Sequence, residues 1–214
     1  MNIISVFTEL SSGFKNTLII FFLTALMSIP LGIIIMLAKK SKFMPLSKIT
    51  SFFISIMRGT PLMLQLMFVY YGPAYLMGLN TLDRFTAVIV AFVLNYACYF
   101  AEIYRGGFDA IPKGQYEASK VLGLSTSQTF FKIILPQVVK TVLPSITNEV
   151  ITLVKDTSLA FVIAVSETFT VAKAMSARTS SLTPLIAVGV FYYVMNYLVA
   201  FIFEKFENRL NYYR

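Results

Sequence analysis

The sequence contains no histidine and a single cysteine, Cys98, among its 214 residues. One cysteine cannot form an internal disulfide, and without histidine or a Cys-x-x-Cys pair no zinc-type site is expected. Charged residues make up only 13% of the chain, whereas a soluble domain normally carries about a quarter. No Gly-x4-Gly-Lys-Ser/Thr loop occurs, so the chain cannot hold the phosphates of ATP by itself. We therefore expect no metal, no bound cofactor and no enzymatic site in this chain.

Apolar residues, in contrast, are abundant. They form 57% of the sequence, including 20 phenylalanines, and the mean hydropathy is +0.74. A bilayer solvates such side chains directly, which predicts an integral membrane protein with one domain over residues 1–214. The net charge of +8 could suggest nucleic acid as a partner. However, the positive residues lie between apolar runs, as in membrane proteins, so no nucleic-acid binding is expected.

Five segments are apolar enough to cross a bilayer as helices, which takes about 20 residues each. Three of them are uninterrupted, namely 17–38, 85–101 and 184–203. Segment 49–71 is interrupted by Arg58 and the Gly59-Thr60-Pro61 break, and segment 141–165 contains Pro144 and several charges. Interrupted backbone is tolerated at membrane depth where it faces protein or water. Counting both segments, the sequence predicts an all-α integral membrane fold with five transmembrane helices.

Lysine and arginine are unevenly divided between the two sides that five spans define. One side has thirteen: Lys39, Lys40, Lys42, Lys48, Arg58, Arg105, Lys113, Lys120, Lys132, Lys140, Lys205, Arg209 and Arg214. The other side has four: Lys15, Arg84, Lys173 and Arg178. Cytoplasmic loops carry the excess of positive residues, so the amino terminus is predicted to lie outside and the carboxy terminus in the cytoplasm.

The cytoplasmic segment between the third and fourth predicted spans has the local signals of two short helices. Pro112 can begin a helix in its first turn, and Gly123 is a natural stop. Ser125 can cap a second helix, with Gln128 in the capping-box position. This second helix is predicted to end at Pro136. The segment would then form two short helices joined by a sharp turn on the cytoplasmic face.

The same segment, about residues 111–136, resembles the EAA loop of ABC importer permeases: Glu-Ala-Ala, three residues, Gly, nine residues, Ile, one residue, Leu-Pro. The matching residues are Glu117, Ala118, Gly123, Ile133, Leu135 and Pro136, with Ser119 in place of the second alanine. Four further segments resemble the polar amino-acid uptake branch of these permeases: Arg58-Gly-Thr-Pro61, Asn95 to Gly107 (with Glu102-Ile-Tyr-Arg-Gly-Gly107), Gly114-Gln115 and Lys155-Asp-Thr-Ser-Leu159. The resemblance extends from about residue 13 to the carboxy terminus.

The resemblance implies a type I ABC importer permease in a prokaryotic plasma membrane, moving polar amino acids into the cytoplasm by alternating access. The implied partners are two ATPase subunits, which bind ATP and Mg, a second permease in a homodimer or similar heterodimer, and an extracytoplasmic solute-binding protein. Closure of the ATPase pair would pull the loops together and rock the spans. The residues implied to contact the ATPase are Gly114, Gln115, Glu117, Ala118, Ser119, Gly123, Leu135 and Pro136.

Charges inside spans are costly and are therefore candidates for substrate contact. Glu149 and Asp156 are seven positions apart on one helix face, with Thr152 on the same stripe. By analogy with the uptake branch, Asn95 joins this group, and Arg84 could receive a substrate carboxylate. Such a set would hold a zwitterion by both of its charges.

Two structural alternatives stay open from the sequence. Lys155 could pair with Asp156 or Glu149 in an ion network, and Arg105 is a helix-surface partner for Glu102 three positions away. At the level of function, a self-sufficient secondary transporter or channel for small polar solutes is the main alternative, and a membrane enzyme or scaffold is a third. Within the family the substrates include glutamine, glutamate, basic amino acids and cystine. The acidic residues of the fourth span favour a cationic or neutral one, although Lys155 could cancel this preference.

Overall fold

The computed structural model describes residues 3–209, with side chains from residue 6 onward, and no strand occurs in that range. Arg214, one of the cations counted above, lies outside it. The helices are α1 (Ile3–Lys39), α2 (Met44–Gly59), α3 (Leu62–Met77), α4 (Arg84–Asp109), α5 (Lys113–Val121), α6 (Thr126–Gln128), a π-helical turn (Thr129–Ile134), α7 (Leu135–Asp156), a 3-10 helix (Thr157–Ile163), α8 (Thr168–Thr179) and α9 (Thr183–Arg209).

Within the described residues, four helical stretches are long and apolar enough to cross a membrane. A fifth crossing requires α2 and α3 together, which change direction by 111° at the Gly59-Thr60-Pro61 break. Each of the two helices has 16 residues. At this angle, two helices of that length cover at most about 27 Å along the membrane normal, close to the ~30 Å of a hydrocarbon core. The predicted second span is therefore a bent pair rather than one helix.

Helix α4 is the centre of the fold, where it packs against α1, α2, α3 and α7. Its closest neighbour is α1, which runs in the same direction and turns small buried residues toward it, among them Thr24, Ser28 and Gly32. At Gly32, a Cβ atom would lie 2.8 Å from the Cβ of Phe100. Small residues one turn apart allow two membrane helices to approach this closely.

The local signals of the α4–α7 loop are confirmed. Helix α5 ends with Gly123 in the left-handed region at φ +73°. The Leu124 N–H donates to the Ser119 carbonyl at 3.1 Å, which closes a Schellman turn. Ser125 Oγ accepts from the Gln128 N–H at 3.2 Å, and Gln128 Oε1 accepts from the Ser125 N–H at 2.9 Å. The capping box is therefore present as predicted.

The predicted end of the second loop helix at Pro136 is wrong. The helix continues through the π-helical turn into α7, so that residues 126–163 form one helical stretch. Proline lacks an N–H and its ring clashes with the carbonyl four residues earlier in a regular helix. The wider π-helical turn, in which the Leu135 N–H bonds the Phe130 carbonyl, accommodates the proline without a break. The loop is thus continuous with the fourth span.

At the opposite end of α7, a buried carboxylate fixes the start of α8. Glu167 is fully buried and accepts hydrogen bonds from the Phe169 N–H at 2.7 Å and the Tyr192 hydroxyl at 3.1 Å. Burial raises the pKa of the Glu167 carboxyl, and the donated hydrogen bonds act in the opposite direction. Helix α1 packs directly on this segment at Gly13.

Replacing Gly13 by alanine is expected to destabilise the protein by about 1–3 kcal/mol, because the added methyl group is overpacked. A Cβ at Gly13 would lie 2.8 Å from backbone atoms of Glu167 and Thr168, which cannot rotate away. Thermal unfolding in detergent measures the effect. The control is Gly189→Ala in α9, where a Cβ meets nothing within 4 Å. Equal melting of Gly13→Ala and the unchanged protein would show that this contact is looser than described.

Candidate functional site

The break between α2 and α3 leaves backbone groups that the protein itself must satisfy. Pro61 has no N–H, so the Met57 carbonyl has no helical partner. Two buried side-chain amides replace that partner. Asn95 Nδ2 donates to the Met57 carbonyl at 3.0 Å, and Gln65 Nε2 donates to the same oxygen at 2.9 Å. Gln65 also reaches the Thr60 carbonyl at 3.0 Å, and its own oxygen accepts from Asn95 at 2.9 Å. The bend is therefore held by α3 and α4 side chains.

A cavity of about 370 Å³ lies against this break. Its walls come from the start of α3, the middle of α4 and the second half of α7. The lining residues are Thr60, Pro61, Leu62, Asn95, Tyr96, Tyr99, Glu149, Thr152, Asp156 and Leu159. The cavity thus joins interrupted backbone, two carboxylates and several hydroxyl groups within the membrane-spanning part of the chain.

Four of the five sequence-predicted substrate residues line this cavity: Asn95, Glu149, Thr152 and Asp156. The fifth, Arg84, does not. It is the first residue of α4, and its Nε lies 3.4 Å from the Tyr70 hydroxyl. Arg84 and Asn95 are eleven positions apart, about 16 Å along the axis of α4, which places Arg84 at the end of that helix and away from the cavity. The roles of all five residues in substrate binding stay predictions.

The two cavity carboxylates do not form the ion network that the sequence left open. Asp156 Oδ2 accepts a hydrogen bond from the Tyr96 hydroxyl at 2.7 Å. Lys155 is exposed and, among the described residues, makes no ion pair with either Glu149 or Asp156. Unpaired carboxylates at membrane depth are costly and favour a cationic group as their ligand.

A cation that the sequence analysis did not assign to the substrate lies beside the cavity. Arg58 ends α2, and its guanidinium lies 5.1 Å from the ring centre of Tyr99, which lines the cavity. Its other neighbour is Glu102, at 3.7 Å. The signal for this position was its place directly before the Gly59-Thr60-Pro61 break. The sequence does not show that Arg58 lies beside Tyr99, because this contact depends on the packing of α2 against α4.

Glu102 joins the ends of three helices. The predicted pair with Arg105 is present at 3.0 Å, and Lys39 of α1 lies closer, at 2.6 Å. Arg58 adds a third cation from α2. A carboxylate that holds cations from α1, α2 and α4 fixes these helices relative to one another just beneath the cavity.

Most of the residues predicted to contact an ATPase are exposed on or next to α5. They are Gly114, Gln115, Glu117, Ala118 and Gly123. Ser119 is instead buried, with its Oγ donating to the Gln115 carbonyl at 2.7 Å, and Leu135 and Pro136 lie half-buried at the base of α7. The sequence analysis missed Val121 and Leu122, which are 88% and 77% exposed at the end of α5. Their position just before the Gly123 stop was the available signal.

The chain is similar in sequence to known membrane transport proteins. The family model described as a binding-protein-dependent transport system inner membrane component matches residues 28–212. The arginine transport system permease protein ArtQ of Bacillus subtilis is 41% identical over 92% of this chain and 90% of its own length. The L-cystine transport system permease protein TcyB of the same organism is 36% identical over 95% and 87%.

Solved structures agree with these sequence relatives. A crystal structure of an amino acid ABC transporter with histidines matches with a TM-score of 0.88 and 31% identity, over 97% of this chain and 96% of that one. The MetNI methionine ABC transporter, in an inward-facing conformation, matches with a TM-score of 0.73 over 94% and 96%. At 20% identity, this second likeness concerns the fold alone.

Replacing Asn95 by leucine is expected to lower stability by about 1–3 kcal/mol, because it leaves the buried Gln65 oxygen without a donor and the Met57 carbonyl with one donor fewer. Thermal unfolding in detergent measures the loss. Asn148→Leu on α7 is the matched control, since the Asn148 side chain is exposed. If both variants melted alike, the amide network at the break would have no special weight.

Proposed function

The chain belongs to the family of inner membrane components of binding-protein-dependent transport systems, and we propose that it moves polar amino acids through the cavity at the α2–α3 break. It is the permease component of an amino acid ABC importer. The relatives named for arginine and cystine transport support the substrate class, and so does the amino acid ABC transporter among the similar structures. The cavity adds the chemistry on which the proposed route depends.

The observation that carries the proposed route is the pair of carboxylates, Glu149 and Asp156, facing interrupted backbone. Every amino acid in solution has an ammonium group, which the two carboxylates would bind at membrane depth. Its carboxylate would face the opposite wall, where α3 begins at Leu62. The amino end of a helix attracts negative charge, and Arg58 beside Tyr99 adds a full positive charge there. The site favours cationic and neutral amino acids over acidic ones.

The energy for transport would come from the partner ATPase. Helix α5 offers this partner a docking surface outside the spans. Glu117 supplies a carboxylate, and the exposed Val121 and Leu122 supply apolar contact area. The stretch from Thr126 to Ile163 is one helical rod that contains both Glu149 and Asp156. A displacement of the loop by the ATPase would therefore move the two carboxylates relative to α4, which widens or narrows the cavity.

The proposed assembly has two ATPase subunits, which bind ATP and Mg, a second permease and an extracytoplasmic solute-binding protein. In it the amino terminus lies outside, and α5 lies in the cytoplasm of a prokaryotic cell. The thirteen-to-four distribution of lysine and arginine supports this orientation. Five spans enclose little space, and a twofold pair of permeases would surround the path with ten.

Neutralising the cavity should reduce transport without loss of assembly. The variant Asp156→Asn with Glu149→Gln is expected to slow arginine uptake by the reconstituted complex at least about tenfold, the effect of losing one charged contact. Proteoliposomes containing the permease, its ATPase and the binding protein are used for the measurement. Glu204→Gln, an exposed glutamate of α9, is the control. Undiminished uptake by the double variant would rule out this cavity as the substrate route.

The turn after α5 should control coupling rather than insertion. Because Gly123 has φ +73°, a β-branched residue there is strained. Gly123→Val is therefore expected to abolish binding-protein-stimulated ATP hydrolysis and uptake, while the permease still inserts in the membrane. Gly123→Asn is the matched control, because asparagine tolerates this conformation. Full coupling in Gly123→Val would contradict a coupling role for the turn.

A further inference from the structure

A second polar cavity, of about 510 Å³, lies at the cytoplasmic base of α7. It is bounded by the α4–α5 connection, by α5, by the π-helical turn and by the first turns of α7. Two lysines, Lys132 and Lys140, line it together with Gln115, Gln137 and Thr141. Among the described residues that line it, none is acidic. This cavity is therefore basic, whereas the one at the α2–α3 break is acidic.

One face of α7 connects the two cavities. Polar residues recur along it at helical spacing: Gln137, Thr141, Ser145, Asn148 and Thr152. Thr141, Ser145 and Asn148 are exposed, and the other two are half-buried. A row of exposed polar side chains on a membrane-spanning helix, which includes the amide of Asn148, favours water or protein over lipid as its neighbour. Thr141 lines the basic cavity and Thr152 the acidic one, about 16 Å away along the helix axis.

The geometry points to an exit subsite: we propose that the basic cavity binds the carboxylate of the departing amino acid through Lys132 and Lys140. The inference rests on the proposed function and adds a second site of opposite charge to it. An amino acid that leaves Glu149 and Asp156 along the polar face of α7 arrives among ammonium groups and amides. The two ammonium groups attract a carboxylate and repel a cationic side chain.

A phospholipid phosphate has the same charge chemistry as a carboxylate, but the surroundings favour the substrate. The apolar face of α7, with Val138, Val142 and Ile146, lines a different groove, toward α1 and α4. An acyl chain would lie in that groove and not along the Thr141 face. Thr141, on the polar face, lines the basic cavity, whereas Val138, Val142 and Ile146 do not.

The charge of the cavity can be measured with thiol reagents. Cys98 is the only cysteine and is buried, so a Cys98→Ala background leaves one introduced thiol. In that background, Thr141→Cys is reacted with negatively and positively charged methanethiosulfonates, in the complex held in lipid nanodiscs that expose both faces. We expect the ratio of negative to positive rates to be at least about fivefold higher than at Asn148→Cys. Adding Lys132→Gln and Lys140→Gln should abolish the difference.

A second arm identifies the occupant. Saturating arginine is expected to slow labelling at Thr141→Cys at least about threefold by occupying the site, whereas agmatine, which lacks the carboxylate, should give no protection. Protection that depends on anionic lipid in the nanodisc and not on arginine would assign the cavity to a lipid headgroup and overturn the proposal. Equal rates for the two reagents would also overturn it, and so would a retained charge preference without arginine protection. In each of these cases the uptake loss of the cavity variant stands as an independent measure of the proposed function.

Discussion

The fold depends on one constraint, which is that broken backbone inside a membrane must find its hydrogen-bond partners within the protein. Pro61 removes the donor that would have satisfied Met57, and Asn95 and Gln65 supply it from two other helices. This replacement lets α2 and α3 meet at a sharp angle. The bend turns the start of α3 toward α4 and α7, and the cavity exists because of it.

The carboxylates around the bend fall into two groups, one paired with cations and the other not. Beneath the cavity, Glu102 engages Lys39 and Arg105 closely and Arg58 more loosely. Glu149 and Asp156, in contrast, face the cavity without a lysine or arginine partner among the described residues. Carboxylates that are already neutralised hold a structure together, whereas carboxylates without a cation attract one. The same residue type therefore fixes helices in one place and favours a ligand in the other.

Local determinants were predictable from the sequence, and tertiary ones were not. The turn at Gly123 and the capping box at Ser125 depend on residues within a few positions of each other, and both are confirmed. The continuation of the helix past Pro136 was missed because it depends on a π-helical turn, which leaves no clear sequence signal. Arg58 was counted only among the cations of the cytoplasmic side, because its nearness to Tyr99 results from the packing of α2 on α4. Of the predicted substrate set, the helix-face argument correctly grouped the α7 residues.

The exposed polar face of α7 is the surface on which the proposed second permease would pack. Thr141, Ser145 and Asn148 are exposed in the single chain, and lipid solvates such a row less well than water or protein does. Water alone could cover it only in a channel, and a channel needs a second wall. A second permease, related by a twofold axis, would bring an equivalent polar face opposite the first. The path between the acidic and basic cavities would then be enclosed by two copies of α7, each moved by the loop with which it is continuous. A displacement of the loop would then change the width of the path directly, because α7 both lines the path and continues into the loop.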